Sequence, residues 1–400
     1  MERIITAVIP AFSDIKTVRN SVVSLATQWI PDDTFKLEIL IVNDNPEREY
    51  SYFLSEEFKC IVSDNVFINI INNKENYGQG ISRQIGIDHA SSDWILLCDE
   101  DDMYATNAVY RFWEILNEQH CSGEDGKALA LIAAPIYAFD ENKERKVINA
   151  QSIWVNAKLY NRQFLKNNCI KFPTGKNSHR SEDYPFIKMV DYAIDNNSNY
   201  KRINFGDEAD TFYYWIPNRK SRTRIDKFYT ALLTPFTMNS SCNIFEYYKW
   251  FNKTHNIEND KDEFMKHEIL NMNVYAYFNY LHWLHDMSLG WKDDKQCLEE
   301  DWELYKRVLK KLREELFVYW DEIVPSDVFM MLSDIKRNSD VQFVESWIGS
   351  FENWVVNGHE TMDMSFKDIK KYCSKLKFDK ANHEVNSKYA KAWLERHNKK

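Results

Sequence analysis

Glycine and proline are scarce in this 400-residue chain, at 10 and 9. That excludes a collagen-like or linker-type architecture. Aromatic residues are plentiful instead, with 13 Trp, 22 Tyr and 24 Phe, enough for packed cores and against extended disorder. No uninterrupted apolar run reaches the about 18 residues of a membrane helix. The apolar run of MERIITAVIPAF stops at Pro10, too short for the apolar core of a signal peptide. A soluble, cytoplasmic protein without a transmembrane segment is expected. The seven cysteines stand at 60, 98, 121, 169, 242, 297 and 373, an odd count with no CxxC pair. A disulfide framework and a zinc site are therefore not expected, and free buried thiols in a reducing compartment are. A P-loop, a GxGxxG fingerprint and a GxSxG elbow are also missing.

The length suggests two or three domains, each able to bury a core. The formal net charge is −10, unevenly spread. Residues 366–400 carry eleven Lys or Arg and four Asp or Glu, a local balance of +7 that leaves the rest near −17. A basic end on an acidic body is either a solvated helix face or a landing surface for a polyanion, nucleic acid or an anionic membrane.

The first 100 residues alternate. RIITAVIP is a β-branched run that Pro10 ends, hence a strand. KLEILIVND, VFINIINN and DWILLCD read as three more strands, apolar on both faces as a helix-covered sheet requires. Between them, DIKTVRNSVVSLATQW places Val18, Val22, Leu25 and Trp29 at helical spacing, and GISRQIGIDHA places Ile81, Ile85 and Ile87 largely on one side. Alternation of this kind implies right-handed crossovers and a mostly parallel sheet, with ligands at the carboxyl ends of the strands. From 128 to about 225 the rhythm is mixed. ALALIAAPIYAF and DTFYYWIP read as strands, NAKLYNRQFLKN and EDYPFIKMVDYAI as helices. Beyond about 229 the pattern is helical to the end; in EEDWELYKRVLKKLREELFVYW, Trp302, Tyr305, Leu309, Leu312 and Leu316 make one core-facing stripe. The expected domains are 1–228 and 229–400.

WILLCDEDDMY, residues 94–104, sets Asp99, Glu100, Asp101 and Asp102 directly after a buried strand. Carboxylates this close repel and are costly to desolvate, so a divalent cation is the natural partner. Two of them one residue apart at a strand end can share a cleft, where Mg²⁺ or Mn²⁺ bridges carboxylate to diphosphate oxygens. The plain alternative is an acidic surface turn. In IVNDNP, Asp44 at a strand end suits a ribose or base edge, or simply an Asn-Asp turn. Arg83, near the positive end of a helix, suits a phosphate or is a surface residue. In SEDYPF, Asp183 is a first-turn residue or a general base toward an acceptor hydroxyl. The basic segment with Arg219, Lys220, Arg222 and Arg224 is a solvated loop or a clamp on diphosphate. His282 and His285, lacking a third ligand, read as packing or surface.

In this order, AVIPAF, LIVNDN, NYGQGISRQIGIDHA, WILLCDEDD, AKLYNRQFLKNNCIKFP and SEDYPF resemble the family 2 glycosyltransferases, from residue 4 to about 224. The resemblance implies a GT-A nucleotide-diphospho-sugar transferase fold, a Rossmann-like mixed α/β sheet flanked by helices, here followed by an all-α C-terminal domain. It implies an inverting, metal-dependent transfer from a nucleotide-diphosphate sugar, most often a UDP-sugar. Pro10 and Phe12 would line the nucleobase pocket, Asp44 would contact base or ribose, and Arg83 would sit near diphosphate or base. Asp99 and Asp101 match the DxD motif, with Asp101 on the metal and Asp99 toward the ribose and the metal. Asp183 matches the catalytic base, and Asp102 supports the turn. The family's late-strand His has no counterpart, so Arg222 would bind diphosphate instead. Glu100 stands where the family has a small residue and would bias metal choice or sugar recognition.

The expected acceptor is a glycan or a polyanion, hydroxymethylated DNA or a teichoic-acid-like polymer. The helical half would recognise the acceptor or support homo-oligomerisation. Two competing readings are a nucleotidyltransferase on a similar sheet, which usually has a glycine-rich loop absent from PAFSDIKTVRN, and an inactive binding module.

Overall fold

The computed structural model describes residues 3–216 apart from 33, 123–125, 140–144, 149–153, 174–181 and 207–211. Beyond 216 it describes 253, 270, 273–274, 277, 299–320, 354–355 and 362–373. The chain divides into two compact units, Met1–Ile225 and Asp226–Lys400. Arg219 to Arg224, His282 and His285 lie outside the described residues.

The first unit runs β1 (Ile4–Ala11), α1 (Ile15–Ala26), β2 (Lys36–Asn43), α2 (Glu56–Lys59), β3 (Val66–Asn72), α3 (Gln79–His89) and β4 (Trp94–Leu97). It continues through β5 (Met103–Tyr104), α4 (Ala108–Ser122), β6 (Ala128–Ala133), β7 (Ile136–Phe139), β8 (Arg145–Ile148), β9 (Lys158–Asn161), α5 (Arg162–Asn167), α6 (Asp183–Asp195), β10 (Tyr200–Asn204) and β11 (Tyr213–Trp215). Seven strands form one sheet in the order β10-β6-β9-β4-β1-β2-β3, and β5-β11-β7-β8 form a second. In the large sheet β4, β1, β2 and β3 are parallel, while β9 runs antiparallel to both β4 and β6. The sheet is thus mixed α/β, as expected.

The alternating part of the sequence is read correctly, with three corrections. Pro10 does not end β1: it pairs in register with Val42, and β4 pairs only with Thr6 to Val8. The missing proline N–H therefore falls past the last β4 partner, where no ladder bond is lost. β2 is not wholly apolar, because Glu38 is buried. Its carboxylate accepts from Thr6, Asn69 and Ser91, which ties three strands to the α3–β4 turn. Trp29 lies beyond α1 and is 55 % exposed, because the helix stops at Ala26. There Gln28 turns its amide onto the carbonyls of Ser24 and Ala105.

The segment 156–167 departs most from the expected helix. Lys158–Asn161 is a strand that fills the place between β4 and β6, and only Arg162–Asn167 is helical. ALALIAAPIYAF likewise splits at Ala134–Pro135 into β6 and β7, which belong to different sheets. In the second unit the described residues form α7 (Glu299–Tyr319) and α8 (Phe366–Cys373). Trp302, Leu309, Leu312 and Leu316 are fully buried along one face of α7, each worth about 1.5–3 kcal/mol of transfer free energy. No helix among the described residues is long and apolar enough to cross a membrane.

Candidate active site

The chain passes from β3, at one edge, to β4 on the other side of β1. The crevice beyond the carboxyl ends of β1 and β4 is the switch point of the sheet, where open α/β sheets bind ligands. Phe12 and Ser13 leave β1 there, and the run Asp99–Asp102 leaves β4.

Arg83 is the centre of this region. It is the fifth residue of α3 and is 1 % exposed. One terminal nitrogen donates to Glu182 at 2.8 Å and to Asp183 at 2.6 Å; the other donates to Asp99 at 2.5 Å. Burial opposes its charge, but Asp183, Asp99 and Glu182 outweigh burial and hold the guanidinium above its ordinary range. The ring of Phe172 lies 5.6 Å from the guanidinium carbon. Among the described residues the buried Arg83 Nε has no hydrogen-bond partner. The buried side of α3 thus carries Gly80, Arg83, Gly86 and Ile87 rather than Ile81 and Ile85, which are only half-buried. Gly80 permits this approach: a Cβ there would sit 3.0 Å from Glu182 Cγ. Gly86 brings α3 flat onto β1, since a Cβ would lie 2.2 Å from Val8 Cγ1.

Asp183 opens α6. Burial pushes its carboxyl up to about 7; Arg83 and Lys158 pull the other way, while Glu182 and Asp99 add to the rise. A carboxylate titrating near neutrality, at the mouth of a crevice, suits a general base. Lys158 on β9 is 2 % exposed, donates to the Trp154 carbonyl at 2.5 Å, and is drawn down to about 8 by burial.

The four acids after β4 have four different environments. Asp99 accepts from Arg83, from Gln79 at 3.0 Å and from Asn156 at 3.0 Å. Asp102 is buried, with Tyr213 O–H and Ile216 N–H donating to it at 2.8 and 2.9 Å. Burial, then Asp99 and Asp101, push its carboxyl well above the usual range. It anchors the turn to β11, the supporting role expected of it. Asp101 lies half-buried between them. Glu100 turns away from the other three, onto the backbone of Phe12 and Ser13.

Asn156 has no signal in the sequence. Its amide nitrogen holds Asp99, and its buried oxygen has no hydrogen-bond partner among the described residues. Ala157 beside it has φ 57°, a left-handed conformation that costs a non-glycine residue about 1–2 kcal/mol. Stored strain next to a functional carboxylate is a recurrent feature of active sites.

On the other side, Asp44 is buried and accepts from Tyr77 N–H, Gly78 N–H and Asn73, so it orders the loop leading into α3. Pro10 is buried inside β1, and Phe12 is 40 % exposed at its end. The basic segment holding Arg222 lies outside the described residues. Among the described residues no three His, Cys, Asp or Glu side chains are grouped to hold a cation by themselves. A cation bound chiefly by diphosphate oxygens and one or two carboxylates needs no such group. Of the roughly four lone-pair sites on Asp99, three donors use three. Among the described residues that leaves one, and the carboxylates of Asp99 and Asp101 are a donor set that fits such a cation.

Residues 6–177 match the family model for glycosyl transferase family 2. Over those residues the N-terminal unit resembles the family 2 glycosyltransferases. A similar curated protein is the poly(ribitol-phosphate) beta-glucosyltransferase of Bacillus spizizenii, 25 % identical over 220 residues. The match covers 54 % of this chain and 32 % of that protein, so this chain spans about a third of its relative's length. Among solved structures, S. aureus TarS superposes with a TM-score of 0.53 at 13 % identity, over 94 % of this chain and 55 % of that one. TarS 1–349 in complex with UDP-GlcNAc gives 0.53 at 14 % identity, over 92 % of each chain. These likenesses establish the GT-A fold. The family match ends before Glu182 and Asp183, which Arg83 holds from inside the matched segment.

Proposed function

We propose that the chain transfers a sugar from a UDP-sugar to a hydroxyl of a polyol-phosphate polymer of the teichoic-acid type, with inversion. The single observation that carries this is the ion cluster in which one buried arginine joins Asp99, at the donor end of β4, to Asp183, at the start of α6. The curated relative is named for poly(ribitol-phosphate), and a protein of the same fold was crystallised with UDP-GlcNAc. The +7 balance of residues 366–400 suits a polymer carrying one negative charge per repeat.

In this reading Phe12 and the end of β1 receive the nucleobase, and Asp44 holds the loop opposite. Asp99 faces the ribose. Asp101 and Asp99 would be the residues that hold Mg²⁺ or Mn²⁺. The cation's contribution when bound is to neutralise the leaving diphosphate. Asp183 takes the acceptor proton from the face opposite the leaving group, which gives single displacement and inversion. Arg83 keeps that carboxylate turned into the crevice.

The test is calorimetry of UDP with and without Mn²⁺, followed by transfer from UDP-sugars onto poly(ribitol phosphate). Metal-dependent UDP binding that Asp101→Ala abolishes, with transfer that Asp183→Asn abolishes, is expected. An absence of nucleotide binding, or full transfer by Asp183→Asn, would sink the assignment.

A further inference from the structure

Glu100 was expected to act toward metal or sugar. Its side chain instead crosses the switch-point crevice from the β4 turn to the β1 loop. One carboxylate oxygen accepts from the N–H groups of Phe12 at 2.7 Å and Ser13 at 2.9 Å; the other accepts from the Ser13 hydroxyl at 2.5 Å. Three hydrogen bonds to one side chain form a directional clamp.

The rest of that loop is pinned as well. Ala11 C=O accepts from Asp44 N–H at 2.7 Å, Phe12 C=O from the Asn45 amide at 3.0 Å, and Ser13 C=O from the Tyr50 hydroxyl at 2.6 Å. Asp14 then caps α1. The backbone is therefore held from two loops at once, the turn after β4 and the connection after β2, while Phe12 at its tip is 40 % exposed. An aromatic ring on an immobilised backbone is a preorganised stacking surface, and its binding free energy is not reduced by loop ordering.

We propose that Glu100 is a positioning residue for nucleobase recognition: it locks Phe12 as a rigid platform and couples that platform to the acidic turn. This rests on the UDP-sugar reading of the same crevice. The metal–diphosphate end is served by Asp101 and Asp99, and Glu100 serves the base end.

The test measures UDP and UMP binding, each with Mn²⁺, to the full chain and to Glu100→Ala. Loss of the clamp should weaken both ligands by the same factor, about 10-fold, or about 1.4 kcal/mol. Ser13→Ala, which removes only the hydroxyl contact, should weaken both by a smaller common factor, and it guards against misfolding of the first variant. Donor KM should rise in step, with kcat nearly unchanged. A loss confined to UDP, with altered metal dependence, would put Glu100 in the metal site and overturn the proposal. Unchanged or tighter UMP binding to a folded Glu100→Ala would overturn it too. Failure of the unaltered chain to bind either nucleotide would overturn the donor reading itself, and the platform with it.

Discussion

Arg83 on α3 and Lys158 on β9 are both buried cations whose charge is felt by Asp183, yet they are held in opposite ways. Arg83 lies among three carboxylates, which fix its charge against the penalty of burial. Lys158 has a neutral partner, the Trp154 carbonyl, and burial brings its amine down to about 8 although Asp191 and Asp183 pull it up. Burial is similar; direct pairing differs. On the α3 side the guanidinium keeps its charge at any working pH, whereas the β9 side is a cation that titrates just above neutrality. Geometry follows the same division. Arg83 orients the site by three directed bonds, and Lys158 acts on Asp183 only through its field.

Removing the paired cation should have the largest effect. Arg83→Met leaves Asp99, Glu182 and Asp183 close together without their counter-charge. Breaking such a cluster on one side costs about 3–5 kcal/mol. For a unit of this size that is a fall in melting temperature of about 10 °C, read by scanning calorimetry. Acidification should partly restore it, because protonation relieves the repulsion. Arg83→Lys should fail as well, since an ammonium cannot reproduce the fork that reaches Asp99 with one nitrogen and Glu182 and Asp183 with the other. Equal stability of Arg83→Met at pH 8 would show that the cluster is not the organising element.

The shared target of the two cations gives the second effect. With its carboxyl near 7, Asp183 is half-protonated at neutrality, so kcat/KM should fall with unit slope below about pH 7. Asp183→Asn should lower kcat by about 10²–10⁴-fold and abolish that limb. Its stability signature has the opposite sign. A carboxyl raised from 3.8 to about 7 on folding binds its proton more tightly in the native state. Its contribution is fully present below 3.8 and is lost as pH rises through 7. Asp183→Asn should therefore be the more stable protein at pH 8, with the advantage shrinking at pH 5. A pH–rate profile flat through 7 would deny Asp183 the role of base.

The two sides were not equally legible. β1 to β4 and their helices were readable because long apolar runs alternate with helical spacing, and the acidic run marks the end of β4. β9 was misread because its four residues continue into a real helix, α5, and helical spacing over NAKLYNRQFLKN gives no sign of the break at Asn161. Lys158 and Asn156 were lost with it. Arg83, Asp99 and Asp183 are up to a hundred positions apart, and only the family resemblance placed them in one site; no periodicity could. Within Asp99–Asp102 the sequence offers four carboxylates in a row. What separates them is which loop faces each one: α3 and β9 for Asp99, the β1 loop for Glu100, β11 for Asp102.

The smallest expected effect isolates the unpaired cation. Lys158→Met keeps the length and apolar stem of the side chain and removes the amine. The lysine's pKa falls on folding, from 10.5 to about 8, so between those values the unfolded chain holds the proton that the native state has given up. Stability from this group therefore rises with pH through that window, and a charged Lys158 is a cost below it. The variant should melt slightly higher than the unaltered chain at pH 7, by an amount reduced by loss of the bond to Trp154, and the difference should vanish near pH 10. The catalytic consequence runs the other way. Lys158 is one of two cations that lower the Asp183 carboxyl, so its loss should move the acid limb of kcat/KM to higher pH while Arg83 still holds the carboxylate in place. A limb that moves with kcat at its plateau unchanged would separate a field effect from a geometric one. A plateau that collapses would mean that β9 positions the base as firmly as α3 does.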